Sequence, residues 1–245
     1  YKIEYNANRS YSKVFDNYLD SVVKFLDTNF LSKRGGISNI LEVGYGDGEF
    51  LKKLSNSNNF KNKNFYGFDP SIKKNYKIGK CKLSTQYYNE KTKVKPDLII
   101  LRHTLEHISK VKFFLNQILH ENPKYLFIEV PCKSFVYDNN FDCFHNEHCS
   151  YFDEYSIQVL LKHFKYKKIR IKKAFKKEYL LVIFEKTNKN FNLKYSKSDN
   201  YFFNFKRFKK NMLKKIDLNK DFIWGAAGKG VVLSNLLGLN HNNLK

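Results

Sequence analysis

The sequence predicts an α/β protein: a mostly parallel sheet with helices on both faces and an antiparallel hairpin at one edge. Three observations predict it. Apolar strand-like runs alternate with helical stretches of roughly 10–15 residues, the pattern of a sheet built by crossover connections. The runs themselves ("ILEV", "LIIL", "YLFIEV") are nearly continuous in apolar residues, as strands buried on both faces must be. Finally, the first of them opens directly into glycines at 44, 46 and 48 and then into a helical pattern.

Taken in order, residues 10–31 carry apolar positions at helical spacing and form an N-terminal helix, stopped by Gly35-Gly36. "ISNILEVG" is the first strand, and "DGEFLKKL" starts a helix with acidic residues in its first turn, where the positive end of the helix dipole favours them. "NKNFYGFDPS" is a strand ending at Asp69. "PDLIILRHTLEHI" is a strand running into a helix that continues through "KVKFFLNQILH". "NPKYLFIEVP" is a strand closed by Pro131, "DEYSIQVLLKHF" a helix, and "YKKIRIKKAF" with "EYLLVIFEK" the closing hairpin. A basic, aromatic-rich helix at 198–216 follows a loop, and "DFIWGAAGKGVVLSNLLGL" makes one more strand–glycine turn–helix unit. The organisation expected is a helical cap over 1–36, a cofactor-binding domain over 37–187 and an extension over 188–245.

Composition narrows the partners. With 42% hydrophobic and 17% aromatic residues in 245, the chain has material for a real core, and no apolar run reaches the roughly 18–20 residues of a membrane span. The net charge is +22, and residues 162–220 hold 20 basic residues against 4 acidic. Much of that excess accompanies a general abundance of Lys, Asn, Ile, Phe and Tyr, and what remains favours a small anionic substrate. No RNP sequence or KH loop accompanies the charge, so nucleic acid is not the expected partner, and a basic RNA-binding methyltransferase or a non-catalytic binding module stands only as the alternative reading. The four cysteines form no CxxC pair. Cys143, His145, His148 and Cys149 crowd together but lack two separated ligand pairs, so reduced cytoplasmic thiols and no metal are expected. A homodimer is left open.

The glycine turn carries the chemistry. A strand, a glycine turn and a helix N-terminus direct backbone N–H groups at one point, and an acidic residue at the end of the next strand suits a ribose diol. Asp69 stands 21 residues after Gly48. Nicotinamide sites read G-x-G-x-x-G, whereas here the pattern is Glu42-x-Gly44-x-Gly46-x-Gly48. Glu42 and Asp47 would repel a pyrophosphate but suit the sulfonium and ammonium of S-adenosyl-L-methionine. This E/D-x-G-x-G-x-G pattern resembles the first motif of class I SAM-dependent methyltransferases. The resemblance implies a Rossmann-like fold with a mostly parallel seven-stranded sheet and a small C-terminal strand–helix extension. It also implies that Gly44, Gly46 and Gly48 pack on the methionine part and that Asp69 takes the ribose hydroxyls. The 84–88 stretch, with Tyr87, would lie near adenine, and Arg102 and His103 would line the cleft.

The acceptor is addressed by a second cluster, "FHNEHCSYF" at 144–152. His148 beside Glu147 could act as a general base, with His145 and His103 as other candidates, and Tyr151 faces the substrate. The absence of any [DNS]PP[YFW] motif argues against amino-group methylation of DNA bases or protein glutamine. "NEHCSYF" and "WGAAGKG" (224–230) resemble signatures of the nucleotide-sugar C-methyltransferases, with a match spanning residues 40–160 and 221–238. Three features depart from that family. No cysteine precedes Cys81, so its N-terminal zinc module is absent, and the C-terminal domain stops after one strand–helix unit. In addition, His145-Asn146-Glu147-His148 stands where the family has Tyr-His-Glu-His. Losing the tyrosine that would stabilise an enolate points from carbon to oxygen as the acceptor. The compact form is similar to the methyltransferases of the capsular O-methyl phosphoramidate modification, whose substrate is CDP-linked. That resemblance implies an anionic nucleotide-linked substrate, with Lys229 as a phosphate contact at a helix start.

Overall fold

The computed structural model describes residues 12–30, 36–72, 78–137, 144, 147–193, 205–217 and 229–239, with the backbone alone at residues 137, 205, 207 and 229. Its centre is a seven-stranded sheet in the order β3-β2-β1-β4-β5-β7-β6. The strands are β1 (Asn39–Val43), β2 (Asn64–Phe68), β3 (Lys82–Ser84), β4 (Leu98–Arg102), β5 (Tyr125–Pro131), β6 (Tyr166–Ala174) and β7 (Tyr179–Lys186). All pairings are parallel except those of β7 with β5 and β6, so the expected antiparallel edge hairpin is present.

Parity along the strands assigns the two faces. Ile40, Leu98, Ile100, Tyr125, Phe127, Leu181 and Ile183 bury against α1 (Lys13–Phe30) and α2 (Glu49–Asn56). Leu41, Val43, Ile99, Leu101, Leu126, Ile128 and Val182 bury on the other face, against α3 (Val111–Ile118) and α5 (Glu154–His163). Helix α1 belongs to this core: Tyr18, Leu19, Val22, Val23, Leu26 and Phe30 form one apolar stripe at helical spacing. Lys53 of α2 ties it down through Asp16 and Asp20, at 2.9 and 2.7 Å. Asp153 caps α5 by accepting from the backbone N–H groups of Tyr155 and Ser156, and Ser156 Oγ accepts from the Asp153 N–H in return. Helices α6 (Phe205–Leu213) and α7 (Lys229–Leu237) pack on each other through Phe208, Leu237 and Leu239, with Phe144 against them.

One expectation needs correction. The segment after β4 is not one helix. His103 takes a left-handed backbone (φ 49°), a 3-10 turn covers Leu105–His107, Ile108 is extended, and α3 begins only at Val111. A residue that leaves the strand in the left-handed region cannot propagate a helix, whatever the periodicity beyond it. The three-residue strand β3 and the short α4 (Lys133–Tyr137) were not read from the sequence. The strand expected around 221–224 lies outside the described residues, so only α7 of the C-terminal unit is seen. Among the described residues no helix is long and apolar enough to cross a membrane.

Candidate active site

In an open parallel sheet, ligands sit at the carboxyl ends of the strands where the strand order reverses, here between β1 and β4. The glycine turn leaves β1 at this point. Gly44, Gly46 and Gly48 all have positive φ (79°, 57° and 75°), and the turn closes with Gly48 N–H donating to the Tyr45 carbonyl. Asp69, at the end of β2, accepts from Gly46 N–H at 2.9 Å through Oδ2 and from Ser71 N–H and Oγ–H through Oδ1. That leaves a lone-pair site on Oδ2. The turn and the acid expected to share one ligand are therefore joined by a direct hydrogen bond. Nearby Tyr45 is pushed up to about 12 by burial and by the charge of Asp69.

Parity places a row of charges just below the turn. Glu42, Arg102 and Glu129 continue the face that carries Ile40, Ile100 and Phe127, and Arg102 and Glu129 are register partners. Arg102 Nε donates to Glu129 Oε2 at 2.6 Å, and Nη1 lies 4.0 Å from Glu42 Oε1. Its guanidinium lies 4.1 Å over the Phe50 ring. Tyr18 Oη–H donates to Glu129 Oε1 at 2.7 Å across the core. His103 Nε2 approaches the same oxygen at 2.9 Å, an ion-pair contact rather than an aligned hydrogen bond, while Nδ1 faces Glu106 Oε1 at 3.5 Å.

Burial works against every charge in this row. It pushes Glu129 up, but Arg102 and His103 outweigh it and hold the carboxyl well below the usual carboxylate range. Burial would push His103 down, yet Glu129 and Glu106 lift its imidazole to about 9, so it is a cation at neutral pH. For Glu42 burial prevails: its carboxyl is pushed up to about 8 despite Arg102.

The second cluster assembles around the 3-10 turn. Cys149 and Ser150 N–H both donate to the Glu106 carbonyl, at 2.7 and 3.2 Å, which fastens the 147–151 loop onto residues 105–107. His107 Nδ1 donates to the Glu147 carbonyl at 3.1 Å. The His107 and His148 rings are 4.9 Å apart, and Tyr151 is 5.7 Å from His148. The Glu147 side chain is exposed. Tyr87 is 73% exposed whereas Tyr88 is buried, its hydroxyl donating to the Val94 carbonyl. His145 and Asn146 lie outside the described residues, and Lys229 opens α7 with only its backbone described.

A family profile described as a methyltransferase domain matches residues 11–171. The chain belongs to that methyltransferase family. No curated protein sequence matches it. Solved structures share its fold at low identity. Magnesium protoporphyrin IX methyltransferase from Synechocystis PCC 6803, with bound S-adenosylhomocysteine, superposes with a TM-score of 0.53 at 14% identity, over 71% of this chain and 84% of its own. The plantazolicin methyltransferase BpumL gives 0.53 at 14%, over 73% and 88%. The N-methyltransferase NodS from Bradyrhizobium japonicum gives 0.51 at 15%, over 74% and 93%. The methyltransferase fold expected from the glycine pattern is thus present, and S-adenosyl-L-methionine is the cofactor that goes with it.

The turn of this methyltransferase fits that cofactor. A Cβ built on Gly46 meets nothing within 4 Å, so the cradle is open there, whereas one on Gly44 would stand 2.4 Å from Thr104 Oγ1. The two glycines should separate in experiment. Gly44→Ala collides with the Thr104 side chain, whose hydroxyl lies 3.1 Å from both the Val43 and the Arg102 carbonyl oxygens, and is expected to lose about 2–4 kcal/mol of stability. Gly46→Ala meets only the left-handed backbone penalty of about 1–2 kcal/mol, but should weaken cofactor binding at least tenfold. Thermal melts and calorimetric titration on the two variants check both halves.

Sequence reading missed Glu129, Glu106, Thr104 and Tyr18. For Glu129 a signal existed: it is the one charged residue in "YLFIEVP", at the parity of Arg102 in the adjacent strand.

Proposed function

We propose that this methyltransferase alkylates an oxygen of a nucleotide-activated small molecule, a CDP-linked phosphoramidate or a nucleotide-sugar, in capsular or other surface-polysaccharide synthesis. The observation that carries the reading is the convergence of Glu106, His107 and His148 beside the cofactor turn, a polar set suited to orienting an oxygen acceptor. S-adenosyl-L-methionine supplies an electrophilic methyl group on a sulfonium sulfur.

The chain's own residues do the rest. Gly44, Gly46 and Gly48 admit the methionine part, and Asp69 takes a ribose hydroxyl. Arg102 supplies charge beneath the turn, Glu42 supplies a carboxyl whose ionised form the cofactor's sulfonium and ammonium favour, and the 84–88 stretch with Tyr87 flanks the adenine. His103, held as a cation by Glu129 and Glu106, contributes positive charge toward an anionic acceptor and is poorly suited to act as base. His148 is then the better candidate to receive a hydroxyl proton, with Tyr151 orienting the acceptor and with His145 and Glu147 as the other candidates from the same stretch of sequence. An acceptor oxygen that is already anionic needs no proton removed, only placement. Lys229 and the basic C-terminal surface suit a diphosphate.

Calorimetric titration with S-adenosylhomocysteine, repeated with CDP-, UDP- and GDP-linked ligands present, tests the substrate class. Tightening of either ligand by the other for one nucleotide only is the expected result. The same affinity with every nucleotide overturns the nucleotide-linked reading while leaving the methyltransferase intact. Proton and carbon NMR of the product then separates O-methyl from C-methyl, and a C-methyl product would establish the sugar C-methyltransferase alternative.

A further inference from the structure

We propose that Glu106, His107 and His148 bind a divalent first-row transition ion, of the zinc or manganese class, beside the cofactor turn. Nothing in the sequence alone points to it, because the crowded Cys143–Cys149 segment lacks paired ligands and Glu106 belongs to a different stretch. The fold brings the two stretches together: one ligand atom from each of the three side chains lies within 4.8 Å of the others.

Several independent features fit an ion at that point. Glu106 is 1% exposed, and its Oε2 has no hydrogen-bond partner, while Oε1 faces His103. A buried carboxylate oxygen left in that state is costly, and a cation at the cluster would satisfy it. His107 is already in the tautomer of a ligand. Its Nδ1 contacts the Glu147 carbonyl, which can only accept, so Nδ1 carries the hydrogen and Nε2 the lone pair. The loop bearing His148 is fixed to the turn bearing Glu106 and His107 by the two backbone hydrogen bonds to the Glu106 carbonyl. The site is therefore held in shape by main chain. Two imidazoles and one carboxylate suit zinc, manganese, iron or cobalt in the divalent state. Three protein ligands leave at least one coordination position open, the arrangement of sites that bind a substrate oxygen rather than of closed structural ones.

Location gives the ion a role. Glu106 is two residues from Thr104, whose hydroxyl packs against Gly44 of the cofactor turn. An ion there would hold an acceptor hydroxyl or phosphoryl oxygen next to the cofactor and lower the pKa of a bound hydroxyl, taking over the part of His148 as base, since a ligating imidazole has no lone pair left for a proton. That role rests on the oxygen-acceptor reading above, but metal binding itself does not, and the test exploits the difference.

Untagged full-length protein, stripped with a chelator and free of cofactor, is titrated with Co²⁺ and followed by visible absorption and calorimetry. Binding of one ion per chain with a ligand-field band is expected, displaced by Zn²⁺. His107→Gln and His148→Gln should each weaken binding by about 100-fold or more. His120→Gln, whose ring contacts the Gln117 carbonyl outside the cluster, should change it less than threefold. Glu106→Gln is the third ligand variant, and if burial prevents its folding the two histidine variants still decide. No Co²⁺ binding up to about 1 mM overturns the site, as does binding that both histidine variants retain. Neither outcome bears on methyl transfer, which the nucleotide titration tests separately.

Discussion

Replacing Glu129 by alanine is expected to lower the melting temperature by about 6–20 °C. The carboxylate is completely buried and satisfies Tyr18, Arg102 and His103 together. Its removal leaves a buried guanidinium and a buried imidazolium without their common counter-charge. Breaking a buried ion pair from one side costs about 3–5 kcal/mol, and each kcal/mol moves the midpoint of a chain this size by about 2–4 °C. Tyr18→Phe, which removes one hydrogen bond to the same carboxylate, should cost only about 1 kcal/mol.

The pH dependence identifies the cause. Glu129 is held below its ordinary range, so its contribution is present above its unfolded pKa near 4.5 and is lost as the pH falls through its depressed folded value. His103 is raised from 6.5 to about 9, so its contribution is complete below 6.5 and is lost as the pH rises through 9. Melting curves from pH 4 to 10 on wild type and Glu129→Gln should therefore differ most near pH 5–6.5, with the gap narrowing as the pH rises from 6.5 to 9 and settling at the part that Arg102 retains. An NMR titration should find the His103 pKa of the glutamine variant well below that of wild type. An unchanged His103 pKa would mean that Glu106 alone supports the cation.

Much of this arrangement was legible in the sequence, for a physical reason. Central parallel strands are buried on both faces, so "ILEV", "LIIL" and "YLFIEV" stand out as unbroken apolar runs, and the glycines after the first mark a backbone that must pass through positive φ. Asp69 was identifiable by its place at the end of a strand, and the structure joins it to Gly46.

Elements whose existence depends on tertiary contacts were not legible. Strand β3 has three half-exposed or exposed residues and exists only because β2 offers an edge. The break at His103 depends on the Thr104 side chain and on Glu129, whose carbonyl accepts from His103 N–H, and local periodicity contains neither. The charge row was hidden differently. Tyr18 reads as one more apolar position of α1, yet its hydroxyl meets a carboxylate 111 residues away. Likewise Glu106 and His107 look like successive positions of one continuous helix until the turn that carries them is fastened to a loop some forty residues on. The catalytic candidates were therefore named by residue type, while their charge states depended on partners that only the fold supplies.

Glu42→Gln should produce the opposite sign from Glu129→Ala. Glu42 is 1% exposed, its Oε2 has no hydrogen-bond partner, and its carboxyl is pushed up to about 8 by burial, with Arg102 only partly offsetting this. A group whose folded pKa is raised contributes fully below its unfolded value near 4.5, and that stability is lost as the pH rises through 8. Glutamine has nearly the same shape and never ionises. The variant should match wild type near pH 4.5, gain on it steadily, and be more stable by roughly 3–5 kcal/mol above pH 8. A stability curve measured by denaturant at several pH values checks this.

The cofactor titration should move the other way. A sulfonium and an ammonium at the turn favour the ionised carboxylate, so wild-type affinity for S-adenosyl-L-methionine should rise toward pH 8 and that of Glu42→Gln should stay low and flat. Together the two curves would show an acid kept at the turn against its own contribution to folding, the compromise expected where binding chemistry and stability compete. If Glu42→Gln instead proves less stable than wild type at every pH, Glu42 is ionised in the fold and paired with Arg102. Its charge would then belong to the buried row around Glu129 rather than to the cofactor.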